Sequence, residues 1–193
     1  GKAFKGIIFA AGITNPEGNS GSVYMQSLPD MVAGNYDNSN GIPVGFGTAP
    51  IVAKSGNIYV LPDYMGNTKA EITRYRIYSD NKWHKKGALQ IPPKAAACCV
   101  TELNSEKAYV SLQGLGSIIV FNPTTMTRIA EIDLNGLKQA DTNVSPASMV
   151  IRDGKLFVGL NQMNAQYMPA RNNIELAVID TKTDKVEKHI VNT

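Results

Sequence analysis

Two cysteines, two histidines and one tryptophan are few for 193 residues, and these shortages exclude several kinds of chemistry at once. Cys98 and Cys99 are neighbours on a predicted strand, where successive side chains point to opposite faces and a bridge between adjacent residues would be strained. They read as two small buried apolar residues, and nothing nearby is spaced to complete a metal site with them. His84 and His189 fall on predicted outermost strands far from each other, which removes them as a paired base or ligand set. The chain carries no Gly-rich phosphate loop, nucleophile elbow, zinc-spaced His pair or calcium loop, so no cofactor is expected and catalysis is disfavoured.

Long apolar runs are missing too. No stretch approaches the roughly 20 apolar residues that cross a bilayer. The opening GKAFKGIIFAAG lacks the long apolar region and polar cleavage site of a secretory signal, and its leading Gly fits a chain from which a signal or lipid anchor has been removed. Charged residues make up 18%, with a net charge of +3. The densest basic group, Lys82 with Lys85 and Lys86, lies around one predicted outer strand. A nucleic-acid surface would need a continuous basic face with aromatic platforms, so no nucleic-acid partner is expected.

What the chain does have is 43% hydrophobic residues, enough for one sizeable core and one domain by default. Low charge with many Asn, Gly, Ser and Thr residues suits an exported all-β protein. Residues 146–188 show the building plan most clearly. A short apolar run at 147–151 meets an Asp153-Gly154 turn suited to a tight hairpin, then a strand at 156–160. A polar loop follows, then an Ile-, Leu- and Val-rich strand at 174–180. Beyond a turn at 181–184, residues 185–191 alternate as an outer strand with a wet face.

The same plan recurs upstream. Residues 49–53, 58–61, 71–78 and 83–91 form one set; 97–101, 108–112, 117–121 and 127–134 form the next. Tyr59, Tyr109 and Phe157 occupy equivalent places 50 and 48 residues apart, and Tyr75, Phe121 and Ile179 each stand near the end of a third strand. Four strands per repeat of about 40 to 50 residues, with an apolar period of two, are the signature of propeller blades and not of helical solenoids. Ahead of them, residues 6–12 resemble a second strand and 22–28 its partner, with a short outer strand at Met31 and Val32. The expected organisation is an all-β propeller segment over 1–193: a partial blade at 1–46 and three complete four-stranded blades at about 47–94, 95–144 and 145–193. It would belong to a disc of six to eight blades, the alternative being a very small four-bladed propeller.

The segments EKAYVSL, SIIVFNPTTMTRIAEI, GKLFVGL and LAVIDTKTDKVEKHI resemble the YVTN-type bacterial β-propeller repeat. The likeness covers residues 47–191 in three copies. The first departs from it, with Arg76-Ile77-Tyr78 before its turn where the others have Asn or Asp. The resemblance implies a fold and leaves function open, since one fold hosts many activities.

In such a fold, ligand contacts are expected on the loops joining second to third strands, together with the connections between blades. Those loops are 62–69, 113–116 and 161–173. Their hydrogen-bonding side chains make the candidate ligand site: Asp63, Tyr64, Gln113, Asn161, Gln162, Asn164, Tyr167 and Arg171. Asp153 and Asp180 read as turn formers, and Trp83 and Tyr75 as packing between blades. The expected function is an extracytoplasmic binding or scaffold module, periplasmic or cell-surface, for a glycan, peptide or protein. Exposed terminal blade faces would favour self-association. The alternative is a propeller-type enzyme, a lyase, hydrolase or quinoprotein-like oxidoreductase, whose catalytic groups lie partly outside this chain.

Overall fold

The computed structural model describes residues 6–12, 23–29, 42–44, 50–62, 69–80, 82–166, 168–169 and 174–192. The chain divides into two compact units, Gly1–Lys94 and Ala95–Thr193. In the first, strands β1 (Gly6–Gly12), β2 (Val23–Pro29) and β3 (Ile42–Val44) form an antiparallel sheet. Strands β4 (Ile51–Val52), β5 (Ile58–Val60), β6 (Glu71–Ile77) and β7 (Trp83–Gln90) form a four-stranded one. The second unit holds β8 (Ala97–Glu102), β9 (Ala108–Leu112), β10 (Ser117–Asn122) and β11 (Thr127–Asp133), then β12 (Pro146–Arg152), β13 (Lys155–Leu160), β14 (Ile174–Asp180) and β15 (Lys185–Asn192). Every four-stranded sheet is a meander in chain order, and the one helical piece among the described residues is a 3-10 turn at Asn135–Leu137. The expected outer strand at Met31 and Val32 lies outside the described residues; the described third strand of that sheet is Ile42–Val44.

Strand register makes the repeats equivalent residue by residue. Arg74 pairs with Gly87 but Tyr75 with Lys85, so Lys86 is an extra, bulged residue in β7. Ile129 in β11 and Glu187 in β15 are skipped in the same way, opposite Val120/Phe121 and Val178/Ile179. Counting from these bulges aligns Tyr59, Tyr109 and Phe157, as the sequence spacing predicted.

The turns explain why the motif needs its residue types. Asn122 Oδ1 accepts from the N–H groups of Thr124 and Thr125, at 2.8 and 3.0 Å. Asp180 Oδ1 accepts from Lys182 and Thr183, both at 2.9 Å. Both turns close with a backbone bond of 2.8 Å, from Met126 to Asn122 and from Asp184 to Asp180, and put the donating residue at positive φ. The Asp153-Gly154 hairpin has positive φ at both positions, the type I′ geometry expected for that dipeptide.

The core of the second unit lies between its two sheets. Tyr109, Ile118, Val120, Ile132 and Leu134 of the β8–β11 repeat meet Leu156, Val158, Leu160, Ala177 and Ile179 of the next. Full burial of each such aliphatic side chain stabilises the fold by about 1.5–3 kcal/mol. Polar links cross the same seam. Tyr109 Oη donates to Asp184 Oδ1 at 2.9 Å, Lys107 Nζ lies 2.7 Å from Asp184 Oδ2, and Ser111 Oγ donates to the Ala147 carbonyl at 2.8 Å. Burial, reinforced by the Asp184 carboxylate, holds the Tyr109 hydroxyl well above the ordinary tyrosine range.

One expectation needs correction. Cys98 is exposed and Cys99 half-buried, so the pair is not a buried apolar one. Cys99 pairs with Ser111 and Ala97 with Leu112, leaving Cys98 as a bulged residue that strict alternation does not place. Trp83 and Tyr75 meet edge to face at 6.2 Å, and Trp83, Tyr75 and Val60 pack around Ile58 and Ile77 on one face of their own sheet.

Candidate functional site

At one end of the β8–β15 sheets three connections are pinned together: residues 113–116, 134–145 and the start of 161–173. The turn after β9 closes through Leu115 and Gly116 N–H bonds to the Leu112 carbonyl. Gly116 has φ +68, and a Cβ there would come within 2.5 Å of Asn135 Oδ1 and 2.8 Å of Val144 Cγ1, so only glycine fits. Asn135 Nδ2 donates to the Leu115 carbonyl and to Asp133 Oδ1, and Asn143 Nδ2 donates to the Gly114 carbonyl. The Asn135 backbone N–H, then its side chain, hold the Asp133 carboxyl below the usual range. Asn143 and Met163 exchange backbone bonds of 2.8 Å, while Asn161 and Gln162 donate to the carbonyls of Ser145 and Val144.

This fastening sorts the predicted site residues. Gln162 is buried at 2% exposure and its amide is fully engaged. Its Oε1 accepts from Gln139 N–H and Thr142 Oγ1, and its Nε2 donates to the Leu137 carbonyl and to Glu175 Oε2. It holds the loop and offers nothing to a ligand. Asn164 Oδ1 accepts from the N–H groups of Gln166 and Met168 and serves as a turn former. Gln113 and Asn161 are half-exposed on the same loop end, and their side-chain amides have no hydrogen bond to another described residue. Asp63, Tyr64, Tyr167 and Arg171 lie outside the described residues.

Sequence reasoning missed one cluster. Glu175 is buried at 2% exposure, and its Oε2 lies 2.9 Å from both Gln162 Nε2 and His189 Nε2. His189, expected to be an isolated outer-strand residue, is thus joined to the loop through this carboxylate. The signal was present in IELAVID, where Glu175 shares alternate positions with the buried Ala177 and Ile179. A carboxylate on an apolar strand face requires partners. Among the described residues no three His, Cys, Asp or Glu side chains are grouped as a metal would need, and no helix is long and apolar enough to cross a membrane.

No protein-family model and no curated protein matches the sequence. Solved structures do. Kuenenia stuttgartiensis hydrazine synthase aligns at TM-score 0.60 and 15% identity, over 95% of this chain and 46% of that one. A europium-containing methanol dehydrogenase aligns at 0.52 and 11%, over 75% and 24%. A protein of unknown function from Bacteroides caccae aligns at 0.53 and 12%, over 92% and 65%. This chain therefore spans less than two thirds of each. At such identities the likeness is one of fold: the chain is an all-β protein of the β-propeller class, with three four-stranded blades and a three-stranded sheet among its described residues.

Proposed function

We propose that this propeller is an extracytoplasmic binding or scaffold module, presenting the loop end of its β8–β15 blades to a glycan, peptide or protein. The observation that carries the reading is the contrast among the loop amides. Gln162, Asn164, Asn135 and Asn143 are spent on fastening the loops, whereas Gln113 and Asn161 stand on that fixed frame with side-chain amides not bonded to any other described residue. Preorganised amides lose little entropy on binding a polar ligand. Screening the chain against glycan and peptide arrays tests this. A hit weakened at least tenfold by Gln113→Ala or Asn161→Ala supports it; arrays without a hit, or hits indifferent to both changes, reject it.

The same reading includes self-association through the face of β12–β15 turned away from β8–β11. Val150, Ile174 and Ile190 on that face are 59%, 65% and 43% exposed, whereas Ile132, the equivalent of Ile190, is 6% exposed. Sedimentation velocity should show a concentration-dependent dimer that Ile190→Lys abolishes; a monomer at every concentration counts against it.

A further inference from the structure

The place where the first four-stranded blade departs from the repeat is also where its charge is reversed. In the last blade Lys155 on β13 pairs across to Asp180 on β14, and Lys155 Nζ lies 2.7 Å from Asp180 Oδ2. The equivalent positions in the β4–β7 blade are Asn57 and Arg76, one step beyond the Ile58–Tyr75 pair. The contact survives with its chemistry exchanged: Arg76 Nε donates to Asn57 Oδ1 at 3.1 Å, and Arg76 Nη2 donates to the Ser55 carbonyl. A neutral Lys–Asp pair has become a fixed guanidinium whose partners among the described residues, Asn57 and Ser55, are uncharged.

A second cation stands beside it. Lys86, the bulged residue of β7, puts its Nζ 4.9 Å from the centre of the Tyr78 ring. Arg74 Nη2 donates to the Lys86 carbonyl at 3.3 Å, which braces the bulge and brings a third positive charge to this rim. Lys86 first, and Arg76 with it, lower the Tyr78 hydroxyl below its ordinary range, as adjacent cations should. Acid is scarce here. Asp80 is tied to His84 at 2.7 Å, and Glu71 lies 2.8 Å from Lys69 and 3.6 Å from Lys85. Among the described residues no carboxylate lies within ion-pair distance of Arg76 or Lys86. His84 meets Tyr78 edge to face at 5.0 Å, so one aromatic ring is held among the cations.

We propose that this turn end of the β6–β7 hairpin is a subsite for an acidic polysaccharide, with Arg76 and Lys86 holding a sulfate ester or carboxylate and Tyr78 lying against the sugar ring. A guanidinium fixed by neutral acceptors keeps its full field for an anion and needs no reordering to bind it. The cluster is short and has a single platform, which suits one acid group on a sugar better than the successive stacked bases of a nucleic acid. It belongs to the first unit and does not depend on the function proposed for the Gln113 and Asn161 loop end.

The test titrates the 193-residue chain with dextran sulfate and with unsulfated dextran at several salt concentrations. Dextran sulfate should bind and dextran should not. Lys86→Gln and Arg76→Gln should each weaken binding by roughly fivefold to tenfold and lower the slope of log K against log salt by about one. The paired change Asn57→Lys with Arg76→Asp recreates the contact of the last blade, so the fold is kept while binding falls. Lys188→Gln, a cation on another blade, should change nothing. Equal losses in Lys188→Gln and Lys86→Gln would reduce the effect to net charge and overturn the subsite. Unchanged binding in the paired variant would overturn it too, and tighter binding of single-stranded DNA than of dextran sulfate would overturn the polysaccharide assignment.

Discussion

The β12–β15 blade and the β4–β7 blade share strand order, register and an outer-strand bulge at the same place, yet treat the position before the turn in opposite ways. In β12–β15, Asp180 serves the backbone through one oxygen and Lys155 through the other, so the residue is consumed by the fold. In β4–β7 the turn is held by Asp80 Oδ1 accepting the Lys82 N–H, and Arg76 is relieved of that duty. Where the backbone bonds are supplied by another residue, the repeat position is released for other chemistry. The blades teach that the fold needs a short-range acceptor at the turn, not a particular residue at each repeat position.

A different contrast separates the β8–β11 and β12–β15 blades. Ser111, Ile118 and Ile132 form a rung buried between sheets; Gly159, Leu176 and Ile190 form its equivalent on a face with exposed neighbours. Tyr109, completely buried, is matched by the half-buried Phe157, which has no hydroxyl to donate.

The largest test of that contrast is Ile132→Ala, which should cost about 3 kcal/mol in urea unfolding because it empties a filled core site. Ile190→Ala should cost under about 1 kcal/mol. Equal costs would break the comparison, and an Ile190 cost that grows with protein concentration would sharpen it by showing that a second copy covers the face. Next, Tyr109→Phe should lose about 1 kcal/mol through its bond to Asp184, whereas Phe157→Tyr should be nearly neutral.

Replacing Gly154, at φ +73, by Ala should cost about 1 kcal/mol in the type I′ turn. Gly136, with nothing within 4 Å of an added Cβ, should tolerate the same change far better.

The smallest expected effect concerns pH. Lys155 first, then the Thr183 and Lys182 N–H groups, hold the Asp180 carboxyl well below its ordinary value. A depressed carboxyl stabilises the fold above the unfolded value, near pH 4, and that contribution is lost as pH falls toward the folded value. Urea midpoints measured from pH 6 down to 2 should therefore decline, and less so in Asp180→Asn.

Much of this was legible in the sequence. The alignment of Tyr59, Tyr109 and Phe157 followed from spacing because a blade is four strands long and its turns are local. The Asp153-Gly154 hairpin and the Asp180 turn were legible because each depends on its own residue and the next few. The loop end was legible as a region and not as a site. Nothing local distinguishes Gln162, buried and saturated, from Asn161 beside it, because their difference lies in Gln139, Thr142 and Glu175 from other segments. The cysteines failed for a related reason: a bulge is a property of two strands, and one strand's alternation does not reveal it.

The sequence by itself determined the strands, turns and blade count of residues 47–191, because period-two burial and short-range turn bonds are written along a single strand or hairpin. Only the tertiary structure decided which polar groups are spent and which remain available. Arg76 held by Asn57 with no carboxylate among the described residues, Gln162 without a free amide and Glu175 beside His189 are outcomes of which strands lie against which. Hydrogen bonding and charge compensation are settled by neighbours in space.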